Sequence, residues 1–184
     1  IADRLARRSI GMSGAAVENV VNEAKLLAAK DGSLVVTAAM LDRALERVAM
    51  GRERRSTVMT DAERRIVAYH EAGHAVCALR APGVADPMHV SIVPRGSAGG
   101  VTWLDPGEDE HFVTRSALLA SLTVVIGGRA AERVILDGDF TQGAAGDIDA
   151  ATRRVTQMVC QYGMSELGPI AIDPGQLMGE DAVH

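Results

Sequence analysis

The chain has 184 residues, 47% apolar and 23% charged, enough for one ordinary domain or two small ones with packed cores, which excludes wholesale disorder. A net charge of -5 supplies no basic field for a phosphate backbone, so nucleic acid is not expected as a partner. Aromatic residues make up only 3% while Ala, Leu and Val abound, which favours a mainly α fold over a β-sandwich.

Ile1 to Arg8 is a charged amphipathic stretch with no start Met, and the chain is expected to be a fragment of a longer protein. Ser13 is placed to cap a helix running to Lys30, with Val17, Val20, Val21, Ala24 and Leu27 at helical spacing and Asp31-Gly32 as its stop. A short extended segment, Ser33 to Val36, leads to Thr37, the cap of a second helix through Met40, Leu41, Ala44, Leu45 and Val48 that Gly51 ends. Residues 1–51 thus read as a small helical unit, and the charged run that follows, within residues 52–59, reads as a linker. Thr60-Asp61-Ala62-Glu63 is a capping box that predicts a third helix from Asp61 to Arg80, broken by Pro82-Gly83. Met88 to Val93 and Gly100 to Leu104 have a β-like pattern around a Pro/Gly-rich turn, which predicts a small hairpin. Thr114 opens a long apolar helix reaching Leu136, in which Gly127-Gly128 permits close approach by a neighbouring backbone. A last helix is expected from Ala145 to Gln161, with Gly163 as its stop. The longest apolar stretch, Ala117 to Gly128, carries Ser121 and Thr123 and is too short for the roughly 20 residues a membrane span needs. The two cysteines, Cys77 and Cys160, lie inside apolar helical patterns and read as reduced core residues.

The third helix carries the chemistry. Between Ile66 and Leu79 its only polar side chains are Tyr69, His70, Glu71 and His74, so it is expected to be buried nearly all round. The i, i+4 spacing puts both imidazoles on one helical face, where their nitrogens can converge on one metal ion. His70-Glu71-Ala72-Gly73-His74 is the His-Glu-x-x-His signature of zinc peptidases. In that chemistry the metal lowers the pKa of its water to about 7 and the glutamate, here Glu71, serves as the base. A purely structural zinc site would want four ligands and usually thiolates, and Cys77 is the only nearby sulfur.

A catalytic site needs a third protein ligand and an open position, and no further ligand follows at the usual spacing on the same helix. Asp147 is the best candidate elsewhere. The apolar stripe of the last helix is Ile148, Ala151, Val155, Met158, Val159 and Tyr162, with Asp147 on its edge and Asp149 towards the opposite, solvated side. On periodicity alone two readings of Asp147 stay open, a metal ligand or a first-turn carboxylate that favours the helix dipole.

Taken together, the chain resembles the FtsH family, membrane-anchored AAA proteases that join an ATP-driven unfoldase to a zinc peptidase domain. The resemblance covers nearly the whole chain. It rests on Gly11-Met12-Ser13-Gly14-Ala15, Val21-Asn22-Glu23-Ala24, Gly51-Arg52-Glu53-Arg54-Arg55-Ser56, Tyr69-His70-Glu71-Ala72-Gly73-His74-Ala75 and Pro94-Arg95-Gly96. It continues in Gly127-Gly128-Arg129-Ala130-Ala131-Glu132 and Thr141-Gln142-Gly143-Ala144-Ala145-Gly146-Asp147-Ile148. The resemblance implies that Asp147 joins His70 and His74 as the third zinc ligand, that Glu71 is catalytic, and that Glu132 orients a ligand imidazole. It implies that residues 1–51 form the helical AAA lid and residues 60–184 the zinc peptidase domain, short of its last helices. The departures are Ala16, where the family usually has Asp after Ser-Gly-Ala, and shorter segments at Gly83 to Met88 and Gly96 to Gly100.

The function so implied is an ATP-dependent zinc endopeptidase that degrades membrane and unfolded cytoplasmic proteins. The full-length protein is then a homo-hexamer, anchored in a membrane by a segment outside this chain, with this part facing the cytoplasm and soluble as a fragment. ATP and Mg would be bound by the full-length protein only, since no P-loop pattern occurs here. A peptidase-inactive chaperone or assembly relative, and a zinc hydrolase with a non-peptide substrate, are the alternatives. The Gly100 to Leu104 strand is expected to offer its edge to an extended substrate, with Val101 and Trp103 on one face and Thr102 on the other.

Overall fold

The computed structural model describes residues 5–6, 8–51, 58–94, 99–104 and 112–173. Four helices begin at a hydroxyl that accepts a backbone N–H two or three residues into the first turn, satisfying a donor that the helix itself cannot. Ser13 caps α1 (Gly14–Lys30), Thr37 caps α2 (Ala38–Met50), Thr60 caps α3 (Asp61–Arg80) and Thr114 caps α4 (Arg115–Ile135). At Thr60 the expected capping box is complete, with the Glu63 carboxylate accepting the Thr60 N–H at 2.8 Å. α1 stops where Gly32 turns to a φ of 67°, its N–H bonding Ala29 O and the Ser33 N–H bonding Ala28 O, a Schellman closure that needs glycine's freedom. β1 (Pro87–Ser91) and β2 (Val101–Leu104) follow α3, and a 3-10 turn (Gln142–Ala144) runs into α5 (Ala145–Cys160). Among the described residues the fold is mainly α with one small sheet.

α1 and α2 share a core of Val20, Ala24, Leu27, Ala44 and Leu45. Trp103 of β2 packs on the edge of that core, beneath the Arg8 guanidinium. β1 and β2 pair antiparallel, Val90 opposite Thr102 and Ser91 opposite Val101, and the pair lies against α3. α3 and α4 meet at glycines. A Cβ added to Gly73 would overlap the Gly127 carbonyl and Ala131, and one on Gly127 would come within 2.7 Å of Gly73 O. α5 packs on α4 through Leu122, Ala151 and Met158.

Two burial expectations fail. α3 is not covered all round, because β1, β2 and α4 occupy only part of its circumference and Tyr69, Val76 and Leu79 stay exposed. On α5 the buried residues are Ala151, Met158 and Cys160, whereas Ile148, Val155 and Tyr162 of the expected stripe are exposed. A helix resting mainly on one neighbour buries a narrower strip than its apolar pattern offers. Ser33 to Val36 joins no sheet. Residues 52–57 of the expected linker over 52–59, residues 95–98 of the expected hairpin turn and residues 174–184 lie outside the described residues.

Candidate metal centre

His70 and His74 stand one turn apart on α3 with their Nε2 atoms 3.1 Å from each other. Asp147, the third residue of α5, points Oδ2 at both, 3.1 Å from His70 Nε2 and 3.4 Å from His74 Nε2. These three are the cluster with metal-ligand geometry among the described residues, and Cys77 is not part of it. Asp147 also occupies the first turn of its helix, where the dipole favours a negative charge. The two readings of that residue are therefore compatible. Asp149 lies exposed and pairs with Arg153 instead.

Both imidazoles are oriented by α4. Val124 O can only accept, so at 2.8 Å His74 Nδ1 donates its proton there and leaves Nε2 with a lone pair. His70 Nδ1 meets Glu132 Oε1 at 2.7 Å, and the other oxygen, Oε2, accepts the Thr141 backbone N–H at 2.7 Å. Glu132 is 1% exposed, so it is no surface glutamate but a buried carboxyl group held between a ring and a backbone amide. With each Nδ1 committed, two Nε2 lone pairs and one carboxylate oxygen converge, a donor set that suits zinc and leaves a fourth position open.

Without a cation these acceptors repel unless protons come between them. Burial lowers the pKa of His70 and His74, but the hydrogen bonds to Asp147, with further help from Glu132 and Val124 respectively, more than offset it, and both end above the ordinary imidazole value. Burial acts on Asp147 in the raising direction, and its bonds to the two rings outweigh that and hold it well below the usual carboxylate range. The site is thus organised around positive charge.

Glu71 is buried at 6% exposure, and burial pushes its pKa up against the opposing hydrogen bond from Thr102. Thr102 Oγ1 lies 2.8 Å from Glu71 Oε2 and 3.0 Å from the Glu71 carbonyl oxygen. The carboxylate rests against Gly100, where an added Cβ would stand 2.7 Å from Oε1. A cleft of about 840 Å³ opens over these groups, with Gly99 to Thr102 and Leu104 on one side and Val124, Val125, Gly143 and Ala145 to Asp147 among the rest of its lining.

Sequence reasoning missed the contact of Thr102 with Glu71, the Val124 carbonyl and the role of Gly128. The carbonyl has no side-chain signature at all. Gly127-Gly128 was expected to admit a backbone, as Gly127 does, but Gly128 admits the histidines: a Cβ there would lie 2.5 Å from His70 Nε2 and 2.6 Å from His74 Nε2. Trp103 turns towards the α1–α2 core while Thr102 turns to Glu71, so a Thr102→Pro exchange would remove a hydroxyl contact along with a backbone donor.

The profile of peptidase family M41 matches residues 57–182. The ATP-dependent zinc metalloprotease FtsH of Akkermansia muciniphila is 48% identical over 180 residues, which cover 97% of this chain and 22% of that one. Proteins of the same name from Veillonella parvula and Thermotoga maritima are 46% and 49% identical, each covering more than nine tenths of this chain and 28% of their own. The chain spans about a quarter of the length of these relatives. With a family profile running from the end of the α2–α3 connection past α5 and taking in all three clustered donors, the chain belongs to peptidase family M41, as an FtsH-family sequence.

Proposed function

We propose that the chain is part of an ATP-dependent zinc endopeptidase, in which His70, His74 and Asp147 hold zinc and Glu71 is the general base. The observation that carries this reading is the convergence of two Nε2 atoms and one carboxylate oxygen, each Nδ1 being already committed, beside a buried carboxylate in an open cleft. Zinc bound there would polarise the scissile carbonyl and make water acidic enough to react near neutral pH. Glu71 takes the proton of the attacking water and delivers it to the departing amine nitrogen. Glu132 and Val124 keep the two rings aimed, so that no reorientation is needed on metal entry. β2 is paired on one side with β1 and lines the cleft, so its other edge is suited to receive an extended peptide through backbone hydrogen bonds.

The same reading extends to the whole protein. Residues 1–51 act as the lid of an AAA module and residues 60–184 as part of the peptidase domain. ATP and Mg binding, hexamer formation, membrane anchorage and unfolded or membrane-protein substrates belong to the longer chain. No helix among the described residues is long and apolar enough to cross a membrane.

The test uses the full-length protein. Wild type is expected to hold about one zinc per chain and to cleave casein, and Glu71→Gln to keep the metal and lose cleavage, since a neutral amide cannot take the proton. Metal loss in that variant, or cleavage by it, would refute the assigned roles.

A further inference from the structure

Resting on that reading of Glu71 as the base, we propose that Thr102 is a positioning residue for it, with Gly100 and Thr102 of the β2 segment forming the socket that aims the carboxylate. The need for such a residue follows from the position of Glu71. His70 and His74 on the same helix point their rings at Asp147, whereas the glutamate side chain is long and flexible, and a base must stay within hydrogen-bond reach of the water it deprotonates.

The socket supplies what α3 cannot. Thr102 Oγ1 reaches Oε2 at 2.8 Å, and Gly100 lies so close that a Cβ would come 2.7 Å from Oε1 and 2.8 Å from Cγ. One wall therefore donates a hydrogen bond and the other limits the carboxylate by contact. The strand is fixed in turn, because β2 is paired with β1 and Trp103 packs against the α1–α2 core.

The hydroxyl also has a second acceptor, the Glu71 carbonyl oxygen at 3.0 Å. With the carboxylate charged, Thr102 donates to Oε2. While Glu71 takes the proton of the attacking water and passes it to the leaving amine, Oε2 keeps the Thr102 hydrogen bond, so the hydroxyl holds the side chain without competing for that proton. Neither half of the reaction therefore leaves the hydroxyl unpaired.

The experiment compares wild type, Thr102→Val, Thr102→Ser and Glu71→Gln in the zinc-loaded full-length protein, reading zinc content, melting temperature, KM and kcat on one fluorogenic peptide. Valine keeps the shape and β-branching but not the hydroxyl. It is expected to keep zinc and KM while kcat falls about 10- to 100-fold, the scale of a lost hydrogen bond to a charged group, and serine is expected to restore kcat to within about threefold of wild type. Wild-type kcat in zinc-loaded Thr102→Val overturns the proposal, as does a serine variant as slow as valine. Should Thr102→Val fail to load zinc, Thr102→Ala takes the same measurements, and loss of zinc in both assigns the hydroxyl to structure alone and overturns the proposal too. Glu71→Gln separates the two levels, because peptide cleavage by that variant removes the base itself, whereas an inactive Glu71→Gln beside a fully active Thr102→Val removes only the socket.

Discussion

Gly128→Ala adds one methyl group to the back of the histidine pair. Its Cβ would stand 2.5 Å from His70 Nε2 and 2.6 Å from both His70 Cε1 and His74 Nε2, where ordinary contact begins at 3.4 Å. Both rings would have to retreat by roughly 0.8 Å, several times the ~0.2 Å that metal–ligand distances tolerate. They are also tethered, His70 to Glu132 at 2.7 Å and His74 to Val124 O at 2.8 Å, so retreat stretches both bonds. Disturbing such partners commonly lowers metal affinity 10- to 100-fold, and here two ligands move together, so a loss of at least about 100-fold is expected. Helix propensity works the other way, alanine being better than glycine by about 1 kcal/mol in a helix interior, against about 1–3 kcal/mol for overpacking. Metal-free stability should therefore change by no more than about 2 kcal/mol while zinc affinity collapses. Competition against a fluorescent zinc chelator reads the affinity, and thermal melting in EDTA reads the fold. Gly146→Ala, whose Cβ meets nothing within 4 Å, is the control and should bind zinc as wild type does. Binding by Gly128→Ala within about threefold of wild type would refute the account of how the rings are placed.

Asp147→Ala is expected to lose zinc at micromolar chelator concentrations while Asp149→Ala, whose carboxylate faces Arg153, keeps it, and equal retention in both would remove Asp147 from the ligand set. The pH dependence should have opposite signs with and without metal. Because the folded-state pKa values of His70 and His74 are raised above 6.5, their contribution to metal-free stability is fully present below the unfolded value and is lost as pH rises through the folded values. Zinc competes with those same protons, so its affinity should fall as pH drops, starting above 6.5 and approaching about tenfold per pH unit for each ring that is charged. Melting temperatures measured across pH 5–8 with EDTA and with zinc check both trends, and parallel curves would contradict them.

The helix starts were legible because caps are local: Ser13, Thr37, Thr60 and Thr114 each satisfy a donor in the adjacent turn, wherever the helix later packs. The His-Glu-x-x-His pattern was legible for the same reason, as spacing alone sets both rings on one face. Burial was less so. Apolar content says which side of a helix could be covered, not whether a neighbour comes to cover it, hence the exposed Tyr69, Val76, Ile148 and Val155. Asp147 was singled out partly from a stripe of which half, Ile148, Val155 and Tyr162, is exposed, and its place beside the histidines follows from where the 3-10 turn delivers the start of α5. Thr102 gave no signal because its partner lies 31 residues away, on another element.

The contact between Gly73 and Gly127 makes the centre mechanically uneven. Where two backbones touch, no rotamer lies between them to take up slack, so α3 and α4 behave as one stiff block. That block contains both imidazoles and both groups that hold their Nδ1 atoms, Val124 three residues before Gly127 and Glu132 five after it. The remaining donor comes from α5, which meets α4 through the side chains of Leu122, Ala151 and Met158, a softer joint. An ion held by all three donors would therefore sit between a stiff pair of rings and a carboxylate carried on that softer joint.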